Sequence, residues 1–130
     1  MAKDKVDLTL DELFDNFDVE AYFAAKKLRR DRPWVYDIIR VLWGTKSFVS
    51  MDQLCRELWA IRNPSGLPMP KEFNATVQSA LNQHTSQSSR WNGKAENNLF
   101  YSPKGKGSGT WAVHRETAAQ WLKSHELPDA

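Results

Sequence analysis

What the chain has little of narrows the field first. Only one of its 130 residues is a cysteine, Cys55, which excludes an internal disulfide and leaves no cysteine cluster for zinc. No apolar run approaches the roughly 18 residues that a membrane helix needs. The Met1-Ala2-Lys3-Asp4 start carries no apolar stretch of the secretory kind, so the expectation is a soluble, cytoplasmic protein without a membrane partner. Charge of one sign is scarcely in surplus. Eighteen Lys and Arg stand against 16 Asp and Glu, a net charge of +2, and bulk charge alone therefore argues for no particular partner. Internal repeats and low-complexity tracts are absent.

What is there suits one globular core: 41% of side chains are hydrophobic and 26% charged, over a length typical of a single domain. Six Trp and six Phe supply the packing, since each large ring can bury roughly 150–250 Å². The charges are unevenly spread. Residues 1–25 carry two basic and seven acidic side chains, a net −5, whereas residues 26–46 carry seven basic and two acidic, a net +5. Residues 71–110 hold five basic against two acidic, a net +3. The acidic and basic blocks can pair with each other as solvated faces, or the basic ones can meet an anionic partner.

Periodicity outlines the elements. Thr9 and Glu12 have capping-box spacing ahead of Leu10, Leu13, Phe14 and Phe17, predicting a helix that starts near residue 10. Asp18 can cap a second helix, with Val19, Tyr22 and Phe23 on one stripe and Lys26, Lys27, Arg29 and Arg30 at its negative end, stopping near Asp31. Pro33 opens a third, in which Val35, Ile38, Ile39 and Leu42 share a face before Gly44. Ser47-Phe48-Val49 is too short for anything but a small strand or an extended link. Ser50 and Gln53 form another capping box, and helix follows from Met51 to Ile61, with Leu54, Cys55, Leu58 and Ile61 inward. Asn63-Pro64-Ser65-Gly66 and Pro68 break the chain. A helix over 71–84 then places Phe73, Val77, Ala80, Leu81 and His84 on one side, with Asn74, Thr76, Gln78, Ser79 and Gln83 on the other. The polar segment 85–97 is long for a loop in a compact domain, which marks it as functional or mobile. Residues 98–102 and 109–113 read as a β-hairpin with a glycine-rich tip at 103–109, and a last helix covers about 115–125 with Ala118, Trp121 and Leu122 inward.

This order, helix 33–43, strand 47–49, helix 51–61, helix 71–84 and hairpin 98–113, resembles a winged helix-turn-helix domain. More narrowly, His84-Thr85-Ser86-Gln87-Ser88-Ser89-Arg90-Trp91-Asn92-Gly93, with Leu99-Phe100-Tyr101 and Gly107-Ser108-Gly109-Thr110-Trp111, is similar to small domains fused to restriction endonucleases and to mobile-element or phage proteins. The resemblance implies a mainly α fold with a small β-hairpin (α+β). It covers residues 33–113. The expected organisation is an N-terminal helical extension (1–32), a winged-helix domain with a C-terminal helix (33–125), and a tail (126–130). The extension is expected to pack on the domain because Leu10, Leu13, Phe14, Phe17, Tyr22 and Phe23 are too apolar to leave in water. The resemblance also implies that the third core helix enters the major groove of double-stranded DNA while the hairpin tip, the wing, lies along the backbone or an adjacent groove. The long 85–97 segment departs from a minimal winged helix.

The residues themselves support nucleic-acid binding. Asn74 and Gln78 are four apart on one helix face, and amides can pair with an adenine edge. Ser88, Ser89, Arg90, Asn92 and Lys94 lie in the polar loop, while Lys104, Lys106 and Ser108 lie on the tip, whose glycines permit close approach to phosphate. Trp91, set in the same loop, either anchors it to the core or offers a ring for stacking. Catalysis is not expected, and neither is a cofactor. Gly105-Lys106-Gly107-Ser108-Gly109-Thr110 lacks the ending and the following helix of a phosphate loop, and His84, Asn97 and His114 have no paired carboxylates or cysteines for a metal. At a helix end, His84 suits an imidazolium. The rival expectation is a protein-interaction or inhibitory accessory module of a mobile element, in which the acidic N-terminal helices and exposed aromatics dock a partner or form a homodimer. If DNA is the ligand, the protein would be nucleoid-associated.

Overall fold

The spacing of Val35, Ile38, Ile39 and Leu42 makes one face of a helix wholly apolar, and the structure places that helix at the centre. The computed structural model describes residues 17–130 except Lys46, Arg90 and Asn92. The helix expected near residue 10 lies outside the described residues. The described elements are α1 (Val19–Ala24), α2 (Trp34–Trp43), β1 (Val49–Ser50), α3 (Met51–Arg62), α4 (Phe73–Gln83), a 3-10 turn (Ala95–Asn97), β2 (Phe100–Tyr101), β3 (Thr110–Val113) and α5 (Arg115–Ser124). They form a mixed α+β fold: five helices and a small three-stranded antiparallel sheet of order β1-β3-β2. Central strand β3 pairs Trp111 with Val49 and Thr110 with Ser50 on one side, and Val113 with Phe100 and Ala112 with Tyr101 on the other.

Helix α2 touches α1, α3, α4, α5 and β3. Its Ile38, Ile39 and Leu42 share the core with Leu54, Cys55 and Leu58 of α3, Val77 and Leu81 of α4, and Leu122 of α5. Each such aliphatic side chain contributes roughly 1.5–3 kcal/mol by leaving water. Local signals set the start of α3, where Ser50 Oγ accepts the Gln53 N–H at 3.1 Å. Cys55 is buried as expected, and burial pushes its thiol up from the usual range.

The second helix is shorter than its periodicity suggests. Asp18 caps it, with Oδ1 accepting the Ala21 N–H at 2.9 Å, but α1 ends at Ala24 rather than near Asp31. The reason lies at the other end of the chain. Lys27 N–H donates to Pro128 O at 2.7 Å and Ala130 N–H to Ala25 O at 3.1 Å, with Lys26 and Asp129 in antiparallel register. Residues 25–27 thus leave the helix to pair with residues 128–130, part of the segment expected as a tail. Lys26 Nζ also reaches Asp129 Oδ1 at 2.7 Å and Glu126 Oε2 at 3.3 Å. Val19 and Phe23 of α1 are buried in this chain's own core.

Most of the basic run that follows is likewise engaged. Asp37, wholly buried on α2, receives Arg32 Nη2 on Oδ1 at 3.0 Å and Arg62 Nε on Oδ2 at 2.7 Å. Arg32 Nη1 donates to Arg29 O at 2.7 Å, and Arg62 Nη1 to Arg30 O at 3.1 Å. The Arg62 guanidinium lies 3.6 Å from the Trp34 ring centroid. Burial pulls Arg62 down from its usual range, and the Asp37 carboxylate opposes that. A buried carboxylate is tolerable only with such partners. Arg40 forks onto Glu20, with Nη2 to Oε1 at 2.8 Å, and this pairing holds the Glu20 carboxyl below the ordinary range.

Candidate nucleic-acid interface

Three segments meet beside α4. The helix is held to the core by Phe73, Val77 and Leu81, which turns the 74–78–82 row of amides outward, one helical turn apart each. Asn74 is exposed and Gln78 half-buried. Gln78 pairs forward rather than back: its Nε2 donates to Asn82 Oδ1 at 3.3 Å.

The loop after α4 is fastened by its own polar side chains. Thr85 is buried, and its Oγ1 accepts the Gln87 N–H at 3.3 Å while its carbonyl accepts the Ser88 N–H at 3.2 Å. Asn98 Oδ1 takes the Ser86 N–H at 2.9 Å, and Gln87 Oε1 takes the Ser102 N–H at the root of the hairpin at 2.7 Å. On the hairpin's other root, Gly109 O accepts the Met51 N–H of α3 at 2.8 Å. The tip turns through Gly105 and Gly107, at φ +102° and +84°, where a residue with a Cβ would be strained.

Between α4, this loop and the hairpin opens a cleft of about 200 Å³. Gln78 and Asn82 line it from α4, Thr85, Gln87 and Ser88 from the loop, and Ser102, Lys106 and Gly107 from the hairpin, with Trp111 of β3 behind them. Three predicted residues from three segments, Gln78, Ser88 and Lys106, therefore share one concavity. The others do not line it. Lys104 Nζ sits 4.9 Å from the Phe48 ring centroid, the Ser108 and Thr110 hydroxyls bond each other at 2.7 Å, and Asn74, Ser89 and Lys94 are exposed elsewhere. Arg90 and Asn92 lie outside the described residues. Trp91 is half-buried, and its indole Nε1 is shut away from solvent without a hydrogen-bond partner, an orientation that favours anchoring over stacking.

The sequence reasoning missed Asn82, Gln87 and Ser102. Asn82 continues the four-residue spacing of Asn74 and Gln78 and was within reach of the pattern; Gln87 and Ser102 meet only through the fold. The imidazolium expected at His84 is overturned. The half-buried ring lies against Phe100 and Trp121, at centroid distances of 6.2 and 6.1 Å, and desolvation lowers its pKa, against a hydrogen bond that the ring donates to the Asn97 backbone carbonyl, which raises it. His114 stacks on Tyr101 at 4.4 Å and is lowered by burial too. Among the described residues, no three His, Cys, Asp or Glu side chains are grouped to hold a metal, and no helix is long and apolar enough to cross a membrane. Comparison with known protein families, curated proteins and solved structures finds no match.

Proposed function

We propose that the protein is a non-catalytic, double-stranded DNA-binding domain of the winged-helix type, with α4 as the recognition helix and residues 103–109 as the wing. The observation that carries the reading is the joint cleft: the polar face of α4, the loop and the wing border one concavity. The order α2, β1, α3, α4, β2, β3 and the pairing of β1 with β3 support it. In this reading Asn74 and Gln78 face base edges, and Lys94, Lys104, Lys106 and Arg90 meet phosphates, where positioning needs no base contact.

Binding to a random-sequence duplex followed against salt tests it. Four phosphate contacts give a slope of log affinity against log salt of about −3.6, from roughly −0.9 per contact. Affinity indifferent to salt rejects it.

A second reading, a protein-interaction module, draws on another surface. Leu67 and Met69 are exposed in the segment between α3 and α4. Leu67 O accepts the Trp59 indole N–H at 2.6 Å, and Trp59 and Trp34 border a groove of about 440 Å³ together with Arg30 and Arg62. An apolar segment bearing acidic residues fits such a groove, and this reading predicts no duplex binding at physiological salt.

A further inference from the structure

The cleft beside α4 is more than a surface for a passing backbone. It is small, about 200 Å³, against the roughly 300–1,000 Å³ usual for drug-sized ligands, so it suits one flat ring rather than a cofactor. Its amide groups are also already sorted. With Gln78 Nε2 donating to Asn82 Oδ1, the α4 pair is left presenting an acceptor, Gln78 Oε1, and a donor, Asn82 Nδ2. Gln87 Oε1 is taken by the Ser102 N–H, so this side chain offers its amide N–H groups. Trp111 supplies an aromatic wall, and Lys106 stands at the wing side.

From this arrangement we infer that the cleft is a pocket for a single unpaired pyrimidine base displaced from the duplex. The inference rests on the DNA-binding reading above and deepens it. Among the amides, one acceptor beside at least two donors complements a Watson–Crick edge with one donor and two acceptors. Cytosine and thymine both have that composition. Guanine has the reverse, one acceptor and two donors, and leaves pocket donors facing donors. Enzymes and readers that take a base out of the stack recognise it by that edge and by aromatic contact, and the unstacking cost is least where the base is already unpaired.

The test uses the full chain and five otherwise identical duplexes: fully paired, or carrying one extra unpaired C, T, G or abasic nucleotide, compared by fluorescence anisotropy at one salt concentration. The expected result is affinity for the C and T duplexes about tenfold above the paired one, with no such gain for G or the abasic site. Asn82→Leu, checked for an unchanged melting temperature, should erase the ratio between pyrimidine and guanine duplexes. Equal gains for all four bulges would mean that bent or flexible DNA is recognised, and would overturn the pocket while leaving duplex binding intact. Equal affinity for bulged and paired duplexes overturns it in the same way. Binding to none of the five removes the DNA reading itself, and the pocket with it.

Discussion

The basic run that opens at Lys26 and the wing segment invite opposite readings of the same side chains. By count the first is the more positive, net +5 over residues 26–46 against +3 over 71–110. In the folded chain Arg32 and Arg62 close on buried Asp37, Arg40 closes on Glu20, and Lys26 closes on Glu126 and Asp129. The wing has fewer cations but holds Lys106 exposed at the lip of a cleft. Arg32 and Arg62 are tied to a carboxylate that cannot leave, whereas Lys106 stands on a glycine-rich tip and, on the DNA-binding reading proposed above, is the cation left for a ligand. Segment charge alone therefore does not show which cations the fold leaves exposed.

Perturbing each region should separate stability from binding. The largest effect is expected from Asp37→Ala, which strands two guanidinium groups and should cost about 3–5 kcal/mol, read from the denaturant midpoint. A loss below 1 kcal/mol would mean that water relieves the arginines and that the two regions differ little. Trp91→Ala should lower stability by roughly 1–3 kcal/mol, with DNA affinity falling only in proportion to the unfolded fraction. A stable variant with selectively weakened binding would move Trp91 to the recognition side of the comparison. Next comes pH. His84 and His114 have folded pKa values below their ordinary value, so the unfolded chain takes up protons first, and the stability they contribute is present above about pH 6.5 and lost as pH falls through the folded values. Melting temperature should drop across that window, and a double replacement by Phe should flatten the drop. The smallest stability effect belongs to Lys106→Ala, within about 0.5 kcal/mol, but the salt slope should shrink by about 0.9. An unchanged slope would take Lys106 out of the interface.

Much of the helical frame was legible because its causes are local. Pro33, the 35–38–39–42 stripe and the Ser50 cap predict α2 and α3 to within a residue or two. The end of α1 was not legible, since the backbone groups that draw residues 25–27 into an extended pairing belong to residues 128–130. Nor was the role of Asp37: its partners stand 5 and 25 positions away, and only burial makes their pairing obligatory. The site divides along the same line. Gln78 and Lys106 carry visible signals, an amide row and a glycine-flanked cation. The grouping around Gln87 depends on a side chain reaching the hairpin root 15 residues on, which no short-range pattern records. Residues 1–16, with most of the N-terminal acidic side chains, and two loop candidates, Arg90 and Asn92, lie outside the described residues.

The two hydrogen bonds at the hairpin roots bear on the entropy of binding. Gln87 holds the Ser102 amide and Gly109 holds the Met51 amide, so both strands enter the tip from fixed points. Flexible tips must lose backbone freedom on meeting a ligand, and such ordering is subtracted from the free energy of every contact they then make. A tip held at both roots has given up part of that freedom during folding. On the DNA-binding reading, immobilising the Lys104 and Lys106 side chains would cost on the order of 0.5–1.5 kcal/mol each. On the same reading, a tip with so few charges would contribute more of its electrostatic attraction as net affinity than a longer, looser and more highly charged one.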